Sequence, residues 1–482
     1  MSVLQLMKVN EMEQKYQKLV KNTALFAIGS LASKILTFLI VPLYTYVLST
    51  EEYGKIDLFT TTISFAIPIL SLQIHEAMIR FLLGKEMDER TVVGNCWVVF
   101  LAGSFFSTLL FPLYLFIFKK LLLSLIFWLL LILENFNGIF IHYLRTTGKT
   151  SAYAIKGVLC TVVFLSFNVL FLVVFKLGMM GYFYSFLISN VVGVLFLLIF
   201  GGLVRAINIK EFDFPSLKKM LFYSIPLIPN SLMWWIMSAG DKYIINLFLG
   251  DSANGIYSLS LKIPTIVSLF YTFFAQAWQM SAIEENNSAE RKKFYETIYK
   301  TSNALLLLVV TLITVFVKPV FKVMSENFYS SWKYVPLLSF AMALSCQASF
   351  FGVVYTTSKN TKRAFFTTAL GAVMNLTFNL ILINIFDLHG IVLGTLIGYF
   401  VVMVIRAKDT KTEIGMSFDL HRTVLGCLVV LIQILLTILI DNWIIYLFGV
   451  VSIVVVWLLY LHECASIFST MLKRFKRKKK HE

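Results

Sequence analysis

Charge is scarce in this chain, and so is everything that builds an enzyme. Asp, Glu, Lys and Arg make up only 14% of the 482 residues, about half the share usual in soluble globular domains. There is no Asp-x-Asp metal motif, no Gly-rich phosphate loop, no G-x-S-x-G and no H-E-x-x-H, so the common hydrolytic and nucleotide chemistries have no foothold. The five cysteines, Cys96, Cys160, Cys346, Cys427 and Cys464, lie in or beside apolar stretches, without a C-x-x-C pair or a His at metal spacing. They read as packing residues, and neither a metal nor any other cofactor is implied. No polar segment is long enough to fold as a soluble domain.

What is abundant is apolar sequence. Hydrophobic residues reach 58% and the mean hydropathy is +0.80, which places the chain among polytopic membrane proteins. Apolar runs of the ~20 residues that cross a ~30 Å hydrocarbon core recur along nearly its whole length, without the short alternating pattern of barrel strands. Helical spans are predicted at about 22–48, 57–83, 91–117, 121–145, 153–176, 179–203, 220–249, 256–282, 297–323, 335–357, 364–386, 390–405, 423–440 and 443–463. The fold class expected is therefore all-α integral membrane with about 14 transmembrane helices. The first run is longer than a signal-peptide core and has no small-residue cleavage site, so it reads as a retained span.

Of the 42 Lys and Arg, the great majority fall in loops on one side of this topology. Under the positive-inside rule that side is cytoplasmic and carries both termini. The net charge of +16 is then mainly a topology signal. Its basic tail suits anionic lipid, and nucleic acid is not an expected partner.

An internal repeat is visible. Val47 to Gly54 matches Phe248 to Gly255 at an offset of 201, Thr146 to Lys149 matches Thr356 to Lys359 at 210, and Leu165 to Asn168 matches Leu376 to Asn379 at 211. Six spans separate the equivalents, so two six-helix halves run parallel, related by a pseudo-two-fold along the membrane normal. That is a transporter architecture. The segments expected are a 1–21 N-terminal segment, a 22–203 first half, a 204–219 linker, a 220–405 second half, a 406–422 cytoplasmic loop, two additional helices at 423–463 and a basic tail at 464–482.

Polar residues at bilayer depth are costly and mark candidate sites. Lys34, Lys242 and Lys262 fall within spans, as do Glu134 and Asp241. Glu134 is read as a proton or cation site, and for every one of these residues a satisfied interhelical contact is the competing reading. Pro42, Pro226 and Pro229 predict kinks. Gly390, Gly394 and Gly398 read as a small-xxx-small packing face.

The segments from Asn22 to Phe59 and from Pro226 to Ala282 carry a resemblance. The D-[KR]-Y-I pattern at Asp241 to Ile244, the L-G-x-x-x-x-G-I-Y turn at Leu249 to Tyr257 and the A-W-Q at Ala277 to Gln279 resemble the Wzx-type polysaccharide flippases. These belong to the multidrug/oligosaccharidyl-lipid/polysaccharide exporter superfamily, which also holds multidrug extruders and the peptidoglycan-precursor flippase. Lys242 stands where that pattern often has Arg. The resemblance implies export of an undecaprenyl-diphosphate-linked oligosaccharide to the outer leaflet, for capsule, exopolysaccharide or a related glycopolymer. It implies membrane lipids, H⁺ or Na⁺, and a polysaccharide polymerase with other assembly proteins as partners. Under it Lys34, Lys242 and Lys262 bind the diphosphate, and Asn230, Trp234, Trp235, Gln276, Trp278 and Gln279 contact sugars. Glu134 and Asp241 couple an ion, and Arg80 and Arg145 stand at the cytoplasmic entry. The alternatives are a cation-coupled multidrug extruder, a teichoic-acid precursor flippase, a membrane glycosyltransferase or polymerase, and a non-transporting scaffold.

Overall fold

The computed structural model describes residues 35–207, 211–284, 291–358 and 360–461, and these are helical with no strand among them. The helices are α1 (Val41–Val47), α2 (Thr50–Leu70), α3 (Ile74–Leu83), α4 (Glu89–Leu109), α5 (Phe111–Phe118), α6 (Leu121–Thr146), α7 (Thr150–Asn168) and α8 (Gly178–Ile199). They continue with α9 (Phe214–Ser224), α10 (Ile228–Ala239), α11 (Asp241–Ser260), α12 (Pro264–Glu284), α13 (Arg291–Phe321), α14 (Val335–Thr357), α15 (Thr361–Ile414), α16 (Leu420–Leu439) and α17 (Ile444–Leu459).

Nine helices among the described residues are long and apolar enough to cross a bilayer, and α2 with α3, bent by 54°, makes one more span. Two of the nine, Phe214–Ser260 and Lys362–Ile414, are 47 and 53 residues long, about twice a crossing at ~1.5 Å per residue. Each doubles back at a single residue. Gly250 has φ 83° and ψ 179°, backbone that only glycine adopts freely. Asp387 does the same in α15 at φ 50° and ψ −131°. With the shorter apolar helices at Ile35–Val47 and Ile444–Leu459, the chain has the expected complement of about fourteen spans.

Two of the turns are tighter than the sequence suggested. A loop was expected over 49–57, but helix resumes at Thr50 because Ser49 and Glu52 form a reciprocal capping box, which satisfies two of the free donors at a helix start. Asp57 is consequently a buried helical residue. Likewise Asp251 restarts the helix directly after Gly250, its Oδ1 taking a 2.6 Å bond from Asn246 Nδ2. The proline breaks fall as predicted: α1 begins with proline in its first turn, and a 3-10 turn at Ile225–Leu227 separates α9 from α10.

The chain divides into two compact units, Met1–Leu232 and Met233–Glu482. In the first, α3, α4, α6 and α9 share a core that includes Ile74, Met78, Val92, Phe140 and Met220. Asp213 caps α9 by accepting from Ser216 N at 2.9 Å, and hydrogen bonds from the Ser216 side chain and then its backbone hold the carboxyl below the usual carboxylate range. In the second, α12, α13, α14, α16 and α17 enclose Trp278, Tyr295, Phe350, Val430 and Val456. The appended pair α16–α17 is fixed to α13 by polar contacts as well as packing. Gln433 Nε2 donates to Thr311 O at 3.1 Å, Asn303 Nδ2 to Tyr460 Oη at 2.7 Å, and Lys318 Nζ to Asp441 Oδ1 at 3.0 Å. The two legs of α15 meet through the predicted small-residue face, where a Cβ on Gly394 would lie 2.0 Å from Asn379 Oδ1.

Candidate functional site

The second unit gathers its polar residues at two depths. Folding α11 at Gly250 brings Tyr257 opposite Asp241, and Tyr257 Oη donates to Asp241 Oδ2 at 2.7 Å. The legs of α15 add Thr395 Oγ1, donating to the same oxygen at 2.6 Å, and Asn379 Nδ2, donating to Oδ1 at 2.6 Å. Asp241 is 2% exposed, and Asn375 also bonds it. Asn379 Oδ1 is buried with no hydrogen-bond partner among the described residues. The result is a small pocket of carboxylate, amide and hydroxyl oxygens, a donor set suited to a proton or a hard cation and unsuited to soft metals. Among the described residues no group of three or more His, Cys, Asp and Glu is placed to hold a metal.

Nearer the C-terminal end of α15 lies a cation that the sequence places in a loop at 406–422. α15 runs on to Ile414, so Arg406 is inside the helix and 4% exposed. Its guanidinium donates to Thr367 Oγ1 at 3.1 Å, Ala348 O at 3.1 Å and Thr368 Oγ1 at 2.8 Å. The rings of Trp234 and Tyr355 stand 5.8 and 5.7 Å from it, within cation–π range. Space exists only because residue 352 is glycine, where a Cβ would sit 2.6 Å from Arg406 Nη1. Below it Arg363 grips Asp409 with two bonds of 2.7 and 2.9 Å, and Tyr355 Oη donates to Asp409 at 2.6 Å.

The predicted diphosphate ligands fall on the same hairpin. Lys242 follows Asp241 in the first turn of α11 and is half-buried. Lys262 does not sit within a continuous eighth helix as expected. It occupies the break between Ser260 and Pro264, also half-buried. Counted from Gly250, Lys242 lies ~12 Å and Lys262 ~18 Å down their legs at ~1.5 Å per residue. Lys34 lies outside the described residues, as do the side chains of Gln276 and Gln279.

The predicted sugar contacts are dispersed. Asn230, Trp234 and Trp235 are half-buried, Trp235 tilting against Tyr243 at 5.8 Å. Trp278 is 3% exposed. It stacks on Phe350 at 4.5 Å and 12° and takes Tyr295 edge-on at 4.6 Å, so in this conformation its faces serve the core.

In the first unit Glu134, half-buried on α6, is bonded to the Asn190 side chain and lies within electrostatic reach of Lys156. Asn137 Nδ2 donates to Asn190 Oδ1 at 3.0 Å and Asn190 O at 3.1 Å. Lys156, in the first turn of the span predicted at 153–176, is a buried residue of α7, beside Gly193 of α8. Arg80 and Arg145 are exposed at the ends of α3 and α6. Arg80 lies 5.1 Å from the Tyr223 ring and 3.8 Å from Glu86. Between these ends His75 and His142 stack at 4.9 Å. The α2–α3 bend places Leu72 and Gln73 at positive φ, and Gln73 Nε2 donates to Ser231 Oγ at 2.8 Å.

These features define a multi-pass all-α membrane protein that carries carboxylates, lysines and an arginine at bilayer depth. The chain belongs to the family described as polysaccharide biosynthesis protein, which its residues 19–279 match. A protein of Haemophilus influenzae described as Lsg locus putative protein 1 is 23% identical over 302 residues, 58% of this chain and 67% of that one. Among solved structures, an inward-facing multidrug resistance MATE family transporter of the MOP superfamily matches with a TM-score of 0.68 at 17% identity, over 81% of this chain and 98% of the other. The lipid II flippase MurJ in an inward closed conformation matches with a TM-score of 0.68 at 16% identity, over 93% and 100%. At such identities the likeness establishes the fold.

Proposed function

We propose that the chain is a flippase that moves an undecaprenyl-diphosphate-linked oligosaccharide from the inner to the outer leaflet of a bacterial cytoplasmic membrane, by alternating access, for the synthesis of capsule, exopolysaccharide or a related surface glycopolymer. Membership of a polysaccharide biosynthesis family and a fold shared with a lipid II flippase support it. The observation that carries it is the position of Lys242 and Lys262 on adjoining legs of one hairpin. A diphosphate entering ~30 Å of hydrocarbon must meet cations there, and these two are held at different depths. Trp234 and Trp235 offer flat apolar faces for sugars, and Arg80 and Arg145 draw the head group in from a cytoplasmic side on which both termini lie. With the inside negative, outward movement of each negative charge is favoured by ~2.3 kcal/mol per 100 mV. Exchange for H⁺ or Na⁺ through Asp241 or Glu134 would add a second driving force, and a glycan polymerase would take the product.

The same backbone similarity extends to a multidrug transporter, which keeps drug extrusion as the second reading. Lysines at depth argue against a cationic drug as cargo. The test is translocation of a labelled undecaprenyl-diphosphate oligosaccharide in proteoliposomes under an imposed potential, wild type beside Lys34→Ala, Lys242→Ala and Lys262→Ala. Potential-sensitive transport lost in the lysine variants supports the reading. Extrusion of organic cations without movement of the lipid-linked sugar overturns it.

A further inference from the structure

One side chain of the second unit carries a charge that its surroundings do not answer. Arg406 is 4% exposed, and no ion pair among the described residues includes it. Asp409, the carboxylate within its electrostatic reach, is already held by both bonds from Arg363. Two guanidinium groups therefore share one carboxylate, and a net positive charge is left where charge is costly. The hydrogen bonds do not neutralise it. Thr367, Thr368 and the carbonyl oxygens of Ala348 and Ala364 are uncharged acceptors. Nη1 donates to Ala348 O alone, so its second N–H has no oxygen acceptor among the described residues, and the rings of Trp234 and Tyr355 are what remains near it.

We infer that Arg406 is a phosphate-binding residue covered by Trp234, and that its ligand is the diphosphate of the proposed polyprenyl-linked cargo; the inference rests on that functional reading. Depth is the first argument. Arg406 stands one residue beyond the span predicted at 390–405, at the edge of the hydrocarbon, which is the level of a phosphate anchored by a lipid tail. Access is the second. Ala348, Tyr355, Thr367 and Thr368 wall the guanidinium and are each at most 3% exposed. Trp234 is different. It is half-buried on α10, a helix of which only Met237 is buried, between the 3-10 turn at Ile225–Leu227 and Gly240. A side chain on so lightly packed an element moves aside at small cost.

The third argument is what the exchange gains. An aromatic ring offers the guanidinium only the field of its quadrupole, whereas a phosphate offers a full charge and two oxygens matched to the planar fork. The ring is the weaker partner.

The experiment measures equilibrium binding of tritiated undecaprenyl diphosphate, which carries no sugar, to the full chain in nanodiscs. Unlabelled undecaprenyl diphosphate and phosphatidylglycerol serve as competitors. Trp234→Ala should tighten binding about fivefold, because the ring no longer competes for the guanidinium. Arg406→Lys should weaken it about tenfold, since the ammonium keeps the charge and loses the fork. In the double variant the gain from Trp234→Ala should vanish. A guanidinium that only ties helices together predicts no gain on removing the ring. Unchanged or weaker binding in Trp234→Ala therefore overturns the inference, as does a gain that persists in the double variant. Should Arg406→Lys not be recovered as monodisperse protein, Trp234→Ala alone decides. Competition by phosphatidylglycerol as strong as by the carrier overturns the diphosphate as ligand and assigns the site to a phospholipid phosphate. Binding is read without transport, so the two readings fail separately. Arg406-dependent binding in a protein that flips no lipid-linked sugar supports the site while removing the function, and flipping with binding indifferent to both substitutions removes the site alone.

Discussion

Replacing Asp241 by Ala and by Asn separates the geometry of its pocket from its charge. In Asp241→Ala, Tyr257 Oη and Asn379 Nδ2 lose the acceptor they hold at 2.7 and 2.6 Å. Thr395 Oγ1 does not, since it already donates to Ile391 O at 2.9 Å. Two orphaned buried donors at ~1–3 kcal/mol each put the cost at about 2–6 kcal/mol. Asp241→Asn is different. Its carbonyl oxygen can keep Tyr257 and Thr395, and its NH₂ would face Asn379, whose buried Oδ1 has no partner among the described residues. Rotation of the Asn379 amide then lets its Oδ1 accept from that NH₂ but turns Nδ2 to where Oδ1 has no partner, so one side chain's donors are orphaned instead of two, and the expected cost is ~1–3 kcal/mol. What disappears is the charge. A cation bound at Asp241 stabilises the folded protein by about 2.7 kcal/mol at a hundred times its dissociation constant, and that increment should exist in the wild type and vanish in Asp241→Asn. The assay is thermal unfolding of the purified protein, followed by tryptophan fluorescence, across a Na⁺ titration at constant ionic strength and across pH. An Asn variant as unstable as the Ala variant would refute the repair argument. An ion or proton response undiminished in the Asn variant would refute coupling through Asp241.

Gly394→Ala should lower the yield of folded protein sharply, because its Cβ would lie 2.0 Å from Asn379 Oδ1 and 2.8 Å from the Asn379 backbone nitrogen. Gly148→Ala, with open space around it but φ 74°, should cost only ~1 kcal/mol, as thermal melts of the pair would show. Glu134→Gln removes the carboxylate interacting with buried Lys156, so it should destabilise, and Lys156→Met in the same chain should restore much of the loss in a double-mutant cycle. At the turn between α16 and α17 the bond from Lys318 holds the Asp441 carboxyl below the usual carboxylate range. That contact is therefore present above the ordinary carboxylate value and lost as pH falls through the lowered one. Hydrogen exchange in 420–459 should accelerate on acidification in the wild type, and Lys318→Met should abolish that dependence.

The spans were legible because hydrocarbon thickness fixes their length, and the breaks at Pro42 and Pro226 were legible because proline removes a donor wherever it stands. The repeat was informative beyond topology: its equivalents Asn168 and Asn379 are both fully buried, and Asn379 proves to be a direct partner of Asp241. Arg406 was misplaced for a physical reason. A charge near the end of an apolar run was assigned to the loop, as though a long side chain always reaches water, but burial depends on what the neighbouring helices leave open. Gly352 makes room for the guanidinium and Thr367 and Thr368 accept from it. None of this is visible along the helix that carries Arg406. One signal was available there. Thr395, Tyr399, Val402, Arg406 and Thr410 recur at helical spacing, and all five are buried. A charge that continues a buried stripe belongs to the helix, and the stripe outranks the distance to the end of the apolar run. Lys262 shows the converse limit. Its place in the apolar run was legible, but the break that holds it arises where Pro264 follows a tightly packed Ser260, whose hydroxyl donates to Ser331 O at 2.9 Å. That contact spans 71 residues of sequence, and no local pattern announces it.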